Sequence, residues 1–329
     1  MKKILGYVIP IGLAAGLLYF TYKDEDFPTM WANMQTAHVW AILATFGTTI
    51  LAHLFRALRW NMLFEPVGYK PSVQNSFLAV MSGYFVNQII PRAGEVSRCT
   101  ILVTSEKVPL QTSIGTVIAE RGFDMVMLIL IGLVAFGLEY ETLTTFLAAQ
   151  QAKFGGSGAS DPNLKFIILG MGILVLGIGY VFRKPLSTIP VIGKIIDFLK
   201  GLVEGLLGAT RMKNPALFFL YTFLIWGGYY MTTYFSLYMF GFTHDLGFKA
   251  AFMLLIIGSS AIVVPVPGAA APFPLFVSAG LIELYMKEPS MSLTAASMMY
   301  WSQTFFTLVV GGGCYLISVI KAGRQIKED

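Results

Sequence analysis

The feature that most constrains this chain is a series of apolar stretches, each long enough to cross the roughly 30 Å hydrocarbon core of a bilayer. Six of them are uninterrupted, at residues 4–20, 39–55, 116–138, 164–182, 216–240 and 293–320. Charged residues make up only 12% of the 329-residue chain, about half the share in a soluble domain. The sequence therefore predicts an all-α polytopic membrane protein, with residues 1–329 as one integral membrane domain and six full transmembrane helices.

Two further apolar regions, 72–109 and 249–288, are interrupted by residues that break helices. The interruptions read Pro91-Arg92-Ala93-Gly94 and Pro265-Val266-Pro267-Gly268. Broken backbone at membrane depth survives only where protein or a wet cavity satisfies its polar groups. We therefore expect two re-entrant hairpins, broken at Pro91 and Gly94 and at Pro265, Pro267 and Gly268. They would enter from opposite faces, an inverted-repeat-like arrangement with which secondary transporters build a substrate site.

The distribution of Lys and Arg sets the orientation of these spans. With the N-terminus in the cytoplasm and both hairpins re-entrant, seventeen basic residues fall on the cytoplasmic side and five outside. The C-terminus is then cytoplasmic as well, and no small-residue cleavage site follows the first apolar run, so that run is expected to remain as a span. Residues 186–213 carry apolar residues at helical spacing among basic ones, which predicts an amphipathic helix on the inner leaflet.

Three charged residues, Glu120, Arg121 and Asp124, lie within one long apolar stretch. If Glu120 is eleven residues into a helix, it lies about 16 Å deep, where an unpaired charge costs roughly 3 kcal/mol or more. Arg121 and Asp124 are spaced i,i+3 and can pair, whereas Glu120 and Asp124 share a face and need a further cation. The expected donor is Arg92 or Arg98 on the neighbouring hairpin.

Two interpretations of this cluster stay open. It is either a structural knot of ion pairs that fixes the hairpin to the helix, or a polar cavity that handles an ionic head group. Arg92, Glu95 and Arg98 follow one another at i,i+3 and would form a charged stripe on a helix, while free amides at the hairpin tip would favour an anion such as phosphate. Asn87, one turn before the break, would either cap the freed backbone or touch a substrate.

A second basic group, Arg56 and Arg59, closes the second span beside Trp60. Arg and Trp at a membrane boundary are typical of snorkelling anchors, which is the interpretation that the sequence favours. The alternative is that both arginines face the mouth of the cavity and attract lipid phosphate.

These residues resemble, in order and spacing, the lysylphosphatidylglycerol synthase transmembrane (flippase-like) family. The resemblance extends over nearly the whole chain and is carried by Arg56-x-x-Arg59-Trp60, Asn87-x-x-x-Pro91-Arg92-x-Gly94-Glu95-x-x-Arg98, Glu120-Arg121-x-x-Asp124 and Pro265-x-Pro267-Gly268. It implies a lipid-translocating membrane domain, which larger synthases fuse to a cytosolic aminoacyl transferase; this chain would be a stand-alone member without the transferase. The family usually continues with glycines and a polar or acidic residue after the second break, whereas residues 269–274 here are Ala, Pro and Phe, so a less polar second half-site is expected.

Residues and resemblance together favour a flippase or transporter that moves a phospholipid or lipid-linked intermediate across the inner (plasma) membrane. The expected substrate-binding residues are Arg56, Arg59, Asn87, Arg92, Glu95, Arg98, Glu120, Arg121 and Asp124. An accessory or scaffold for a separate lipid-modifying enzyme is the main alternative, and an integral-membrane lipid enzyme is a weaker one. No nucleophile–base pair is evident and the three histidines lack metal-ligand spacing, so no catalysis, metal or cofactor is expected. Membrane lipids are the expected partners, a homo-oligomer or a partner enzyme is left open, and nucleic acid is not expected.

Overall fold

The structure of the protein is a computed structural model that describes residues 2–90, 93–153, 212–261, 264 and 266–328. These residues are helical with short connections and include no strand, so the all-α prediction is confirmed for this part of the chain. The helices are α1 (Lys2–Tyr22), α2 (Phe27–Met34), α3 (Val39–Phe64), α4 (Val73–Ile89), α5 (Ala93–Glu106), α6 (Leu110–Leu138), α7 (Tyr140–Lys153), α8 (Pro215–Ser236), α9 (Gly247–Ser260), α10 (Pro272–Glu283), α11 (Pro289–Phe306) and α12 (Gly312–Glu328). The predicted span at 164–182 and, apart from its last two residues, the predicted amphipathic helix at 186–213 lie outside the described residues.

Three helical stretches are both long and apolar enough to cross a membrane: Val39–Val67, Leu110–Leu138 and Pro289–Arg324. They correspond to α3, to α6, and to α11 continuing through a π-helical turn into α12. At a rise of 1.5 Å per residue, α3 is about 39 Å long and α6 about 43 Å long. Each of these three stretches contains one of the spans predicted from the sequence. The spans predicted at 4–20 and 216–240 coincide with α1 and α8, and stay predictions as membrane crossings.

The first hairpin consists of α4 and α5, which pack antiparallel. At its open end the Glu106 carboxylate accepts hydrogen bonds from the Ser72 N–H at 2.9 Å and from the Asn75 side chain at 2.8 Å. Partial burial alone would raise the pKa of Glu106, but hydrogen bonds from Ser72 and Asn75 outweigh it and lower that pKa. At the tip, Ile90 is extended, the conformation that a following proline imposes, and α5 begins at Ala93.

Two glycines let the helices of this hairpin approach closely near the tip. A Cβ on Gly94 would collide with the Gly83 carbonyl oxygen and would lie 2.6 Å from the Asn87 side chain. A Cβ on Gly83 would in turn lie 2.9 Å from the Gly94 carbonyl oxygen. Backbone therefore packs on backbone here, and any larger residue would force α4 and α5 apart.

The second hairpin consists of α9 and α10, about 21 Å and 18 Å long. They also pack antiparallel, because a Cβ on Gly258 would lie 2.7 Å from Phe273 and a Cβ on Gly280 would lie 3.3 Å from Leu254. Between them the backbone of Gly268 has a φ of 57°, the left-handed region that glycine adopts without strain. All four hairpin helices are thus shorter than α3 and α6.

The hairpins point in opposite directions along α3. Near the end of α3, the Asn61 side chain donates to the Pro71 carbonyl oxygen at 3.0 Å, at the open end of the first hairpin. At the start of α3, Ala41 shares an apolar core with Ala250 and Leu281, at the open end of the second hairpin. The two hairpins therefore approach each other from the two ends of one long helix.

The order long helix, hairpin, long helix occurs twice among the described residues, as α3, α4–α5, α6 and as α8, α9–α10, α11. The second copy runs in the opposite direction, because α8 is antiparallel to α3. Arg59 near the end of α3 contacts Thr222 near the start of α8 at 3.4 Å, and Thr48 near the start of α3 contacts Thr232 near the end of α8 at 2.9 Å. This order agrees with the inverted-repeat-like arrangement that the two breaks predict.

The hairpin tips meet between the two ends of the molecule. Tyr300 of α11 donates its hydroxyl to the Gly268 carbonyl oxygen at 3.1 Å, and a Cβ on Gly268 would collide with the Gln88 side chain at the end of α4. One apolar core, around Trp60, Phe123 and Phe218, packs α3, α6 and α8 toward the open end of the first hairpin. The second core lies at the opposite end.

Candidate functional site

Four charged side chains from α3 and α6 form the centre of the candidate site. Arg56 and Arg59 are spaced i,i+3 on α3, and Glu120 and Asp124 are spaced i,i+4 on α6, so each pair projects from one face of its helix. Arg56 pairs with Glu120 and donates through Nη2 to Asp124 Oδ2 at 2.9 Å. Arg59 Nη2 donates to Asp124 Oδ1 at 2.7 Å and lies 3.7 Å from Glu120 Oε1. The exposed fractions of Arg56, Arg59, Glu120 and Asp124 are only 2%, 0%, 0% and 9%.

A third arginine reaches these carboxylates from α5. Arg98 Nη1 donates to Glu120 Oε2 at 3.0 Å, and the Arg98 guanidinium lies 4.7 Å from the centre of the Trp60 ring, a cation–π distance. The other Arg98 nitrogens, Nε and Nη2, are buried without a hydrogen-bond partner among the described residues. We refer to Arg56, Arg59, Arg98, Glu120 and Asp124 together as the buried charge cluster.

Beside this cluster, Glu95 and Arg121 form an outer pair with 3.1 Å between Oε1 and Nη2. Their side chains are 34% and 46% exposed, in contrast to the buried charge cluster. Arg121 Nη1 also lies 3.7 Å from Asp124 Oδ2 and so connects the outer pair to the cluster. With Asn87 and Gly94, the outer pair lines a cleft of about 10 Å³ at the tip of the first hairpin, room for about one water molecule.

The charges of the cluster and the outer pair do not cancel. Four guanidinium groups face three carboxylates, which leaves a surplus of one positive charge. Charged groups in a low-dielectric interior are tolerated only when they are paired and hydrogen-bonded. Because the surplus is positive, an anion can join this arrangement at a lower electrostatic cost than a cation can.

Hydroxyl groups from α4 and α8 complete the surroundings of the arginines, and sequence reasoning missed them. Arg56 Nε donates to the Tyr229 hydroxyl at 3.1 Å, and the hydroxyls of Tyr229 and Tyr84 lie 3.2 Å apart. Single tyrosines in apolar helices are ordinary, so neither residue stands out in the sequence. One signal in the sequence could have pointed to Tyr84 as a site residue. It lies three residues before Asn87 and therefore on the same side of α4.

The preferred interpretation of Arg56 and Arg59 as snorkelling anchors is wrong. Both guanidinium groups are buried against α6, at the centre of the site. The reason is that α3 does not end with its apolar run but continues to Phe64. Two further helical turns therefore follow Arg56, and the arginines lie beside the α6 carboxylates instead of at a membrane boundary.

The ion pairs expected within the first half of the chain are found in part. Arg98 does bind Glu120, as expected of a hairpin arginine. The expected pair between Arg121 and Asp124 exists at 3.7 Å, but the nearer carboxylate to Arg121 is Glu95. The pairing differs from the expected one because α5 packs against α6 and brings the Glu95 carboxylate to Arg121 from outside the helix.

Asn87 caps the broken backbone. Its Oδ1 accepts a hydrogen bond from the Gly94 N–H at 2.7 Å, which favours the capping interpretation over substrate contact. Pro91, Arg92 and Pro265 lie outside the described residues. Whether any of the site residues binds a substrate stays a prediction. Among the described residues, no group of three or more His, Cys, Asp or Glu side chains is placed to hold a metal ion.

Long apolar helices around two opposed, broken hairpins and a buried charge cluster define a helical membrane protein with a charged interior. Within that class, the chain belongs to the family described as the lysylphosphatidylglycerol synthase TM region, which it matches over residues 7–321. The resemblance seen in the sequence motifs is therefore confirmed. A similar curated protein is the UPF0104 membrane protein MJ1595 of Methanocaldococcus jannaschii, 30% identical over 108 residues. That alignment spans 32% of this chain and 32% of the relative, and no solved structure matches the chain.

Proposed function

We propose that this protein moves an anionic phospholipid, or a lipid-linked intermediate, between the leaflets of the inner (plasma) membrane, and that it is a transporter and not an enzyme. The observation that carries the proposal is the buried charge cluster, which lies close to the level where the hairpin tips meet. Ionisable residues inside membrane proteins mark substrate pathways, and discontinuous helices that meet near the midplane form transporter sites. The family description, a membrane region of a lipid synthase, supports a lipid as substrate.

The outer pair is the part of the site that a head group would meet first. The buried charge cluster is closed by its own ion pairs, whereas the Arg121 side chain is 46% exposed at the cleft. A lipid phosphate that replaces the Glu95 carboxylate as the partner of Arg121 would meet the positive surplus of the site. Since the cleft has room for about one water molecule, passage of a head group requires α4 and α5 to move relative to α6.

We propose the corresponding topology as well: both hairpins re-entrant, with the N- and C-termini cytoplasmic. The lengths of α4, α5, α9 and α10, about 18–25 Å each, support helices that enter a bilayer of roughly 30 Å without crossing it. Single cysteines in a Cys99→Ala, Cys314→Ala background test this with a membrane-impermeant thiol reagent. Lys70→Cys and Lys107→Cys should label from the cytoplasmic side only. Labelling from opposite sides would contradict a re-entrant first hairpin.

Lipid movement is tested with purified protein in vesicles of phosphatidylethanolamine and phosphatidylglycerol that contain a trace of acyl-chain fluorescent phosphatidylglycerol. A membrane-impermeant reductant bleaches only the outer leaflet, so movement shows as bleaching beyond the fraction lost in protein-free vesicles. Arg121→Gln should reduce the rate at least tenfold, since it removes the exposed guanidinium. Lys249→Gln, an exposed residue at the far end of the molecule, is the matched control and should move lipid at the unaltered rate. Equal rates for the two variants would refute the assignment of the site.

A second candidate function, an accessory membrane protein for a separate lipid-modifying enzyme, is favoured by one observation. Five of the charged side chains pair closely with one another and leave a cleft of only about 10 Å³, as expected of a knot that holds helices together. Under this function, the unaltered protein should give no bleaching beyond that of protein-free vesicles.

A further inference from the structure

A row of polar side chains follows one face of α3 toward the buried charge cluster. Thr45, Thr49, His53 and Arg56 succeed one another at spacings of four or three residues and are 0%, 8%, 5% and 2% exposed. Residues with this spacing lie one above another on a helix. The row therefore extends for about 16 Å at 1.5 Å per residue, through a helix that is otherwise apolar enough to cross a membrane.

Hydroxyl and amide groups from α8 and α11 connect to the upper part of this row. Thr49 Oγ1 donates to Gln303 Oε1 at 2.9 Å and lies 3.3 Å from Thr232 Oγ1. Thr232 Oγ1 lies 2.9 Å from Thr48 Oγ1. Three helices thus contribute to one hydrogen-bonded group at the level before His53.

On the other side, the His53 ring packs against two tyrosines whose hydroxyls reach the cluster. The His53 ring centre lies 4.2 Å from that of Tyr84 and 6.2 Å from that of Tyr229. The hydroxyls of Tyr84 and Tyr229 are 3.2 Å apart, and Tyr229 accepts a hydrogen bond from Arg56 Nε at 3.1 Å. We refer to Thr48, Thr49, Thr232, Gln303, His53, Tyr84 and Tyr229 together as the polar track.

Two buried polar atoms in the polar track are unsatisfied. His53 Nδ1 and Gln303 Nε2 have no hydrogen-bond partner among the described residues. Both belong to side chains next to Thr49, which bonds Gln303 and lies one helical turn before His53. They are two of the nine buried side-chain nitrogen and oxygen atoms without a partner among the described residues, and such atoms are places where a proton, a water molecule or an ion can bind.

The groups that face His53 determine when it can hold a proton. They are Tyr84 from α4, Tyr229 from α8 and Arg56 on its own helix, and Arg56 is in turn bound by Glu120 and Asp124 of α6. Burial of His53 disfavours a positive imidazolium, and the Arg56 guanidinium one turn away disfavours it further because the added charge increases the positive surplus of the site. An anion bound to the site offsets that repulsion, so anion binding and proton uptake favour each other, and this coupling is reciprocal.

We propose that His53 takes up one proton together with one anionic lipid head group, and that the polar track carries this proton, so that a proton gradient drives lipid movement. The proposal rests on the proposed function. The neutral imidazole gains the proton at Nδ1 and becomes an imidazolium, and it returns to the neutral form when the proton leaves on the other side with the lipid. One positive and one negative charge cross together, so movement of phosphatidylglycerol follows the pH gradient and does not respond to membrane voltage.

A purely structural role of the polar track makes a different prediction. Hydroxyl contacts between membrane helices also hold helices together, and in that case loss of the track lowers stability without changing what drives the lipid. The deciding measurement is therefore the final distribution of lipid between leaflets, which depends on coupling and not on the amount of active protein.

The test uses the full chain in vesicles that contain fluorescent phosphatidylglycerol, with a pH gradient of one unit and the membrane voltage held at zero. At equilibrium the labelled lipid should be enriched up to about tenfold in the leaflet facing the alkaline side, because one pH unit is a tenfold difference in proton activity. A voltage imposed without a pH gradient should produce no enrichment. His53→Gln should abolish the enrichment, while His38→Gln, a matched change outside the polar track, should keep it.

Each outcome decides between the two proposals. Lipid movement that ends in equal leaflets despite the gradient overturns proton coupling and leaves the proposed function standing. Enrichment that persists in His53→Gln overturns the assignment of the proton to His53 and also leaves the proposed function standing. Absence of any lipid movement overturns both. If His53→Gln fails to fold, Thr49→Val, which keeps shape but removes the hydroxyl, should lower the final enrichment, whereas Thr49→Ser, which keeps the hydroxyl, should retain it. Equal behaviour of those two variants overturns the polar track.

Discussion

Replacing Asp124 by asparagine tests how the buried charge cluster is balanced. Asp124 accepts hydrogen bonds from Arg59 at 2.7 Å and from Arg56 at 2.9 Å, and it is 9% exposed. Asp124→Asn keeps the size of the side chain but removes its charge. The cluster then holds three buried guanidinium groups against the single carboxylate of Glu120, so two positive charges remain uncompensated in an apolar environment.

The structure sets the expected size of this effect. Two unit charges about 4 Å apart interact by about 4 kcal/mol at an effective dielectric constant of about 20, and removing one partner of a buried pair costs about 3–5 kcal/mol. We expect Asp124→Asn to lower the free energy of unfolding by that amount, and Arg59→Gln to lower it by less, because Asp124 keeps Arg56 as a partner at 2.9 Å. The double variant should lose less stability than the sum of the two single losses, by at least about 2 kcal/mol, because neither charge is left without its partner.

An exposed pair of nearly the same length is the control. Lys287 Nζ lies 2.8 Å from Asp245 Oδ1, but the side chain of Asp245 is 68% exposed, and exposed pairs couple by only about 0–1 kcal/mol. Melting temperatures in detergent of the two single variants and the double variant, for each pair, give the two coupling energies. A coupling at Asp124 and Arg59 no larger than that at Asp245 and Lys287 would refute the reasoning.

The same variants separate the structural from the functional interpretation of the buried charge cluster. If the cluster handles a head group, the Arg59→Gln, Asp124→Asn double variant recovers stability but not lipid movement in the vesicle assay. A double variant that is stable and moves lipid at the unaltered rate would assign the cluster to helix packing alone.

Three further expectations concern the first hairpin. Gly94→Ala places a Cβ against the Gly83 carbonyl oxygen and should cost about 3 kcal/mol of stability by overpacking, seen as lost monodispersity in gel filtration. Gly16→Ala, with nothing within 4 Å, should be tolerated. Asn87→Ala removes the acceptor of the Gly94 N–H and should lower stability by about 1–2 kcal/mol, whereas Asn87→Asp, which retains an acceptor oxygen, should melt within a few degrees of the unaltered protein. Glu106 has a lowered pKa in the folded protein, so its contribution to stability is present above its ordinary pKa of 4.5 and is lost as the pH falls through the folded value. Glu106→Gln should therefore flatten the dependence of melting temperature on pH below 4.5, and an unchanged dependence would contradict that role.

Much of the fold was predictable because the membrane imposes it locally. The apolar runs predict α3, α6 and the long α11–α12 helix, and the prolines and glycines at the two breaks predict interrupted helices; a single sequence carries both signals. For Asn87 the sequence left two interpretations open, capping of the broken backbone or contact with a substrate. The distance of 2.7 Å between its side chain and the Gly94 N–H favours capping. The boundary of α3 was less accessible, because Arg56 and Arg59 end the apolar run without ending the helix.

The sequence by itself determined that charges lie inside an apolar protein and that the carboxylates of Glu120 and Asp124 share one helix face. It could not determine their partners, because a helix fixes only the neighbours three and four residues away, while the facing helix is chosen by packing across the whole molecule. Tertiary structure alone decided that Arg56 and Arg59 leave the boundary position suggested by their neighbours and bind the α6 carboxylates. It likewise decided that α5 brings Glu95 to Arg121 and that Tyr84 and Tyr229 surround His53. Each of these contacts joins residues far apart in sequence, and burial makes their pairing obligatory once the helices pack.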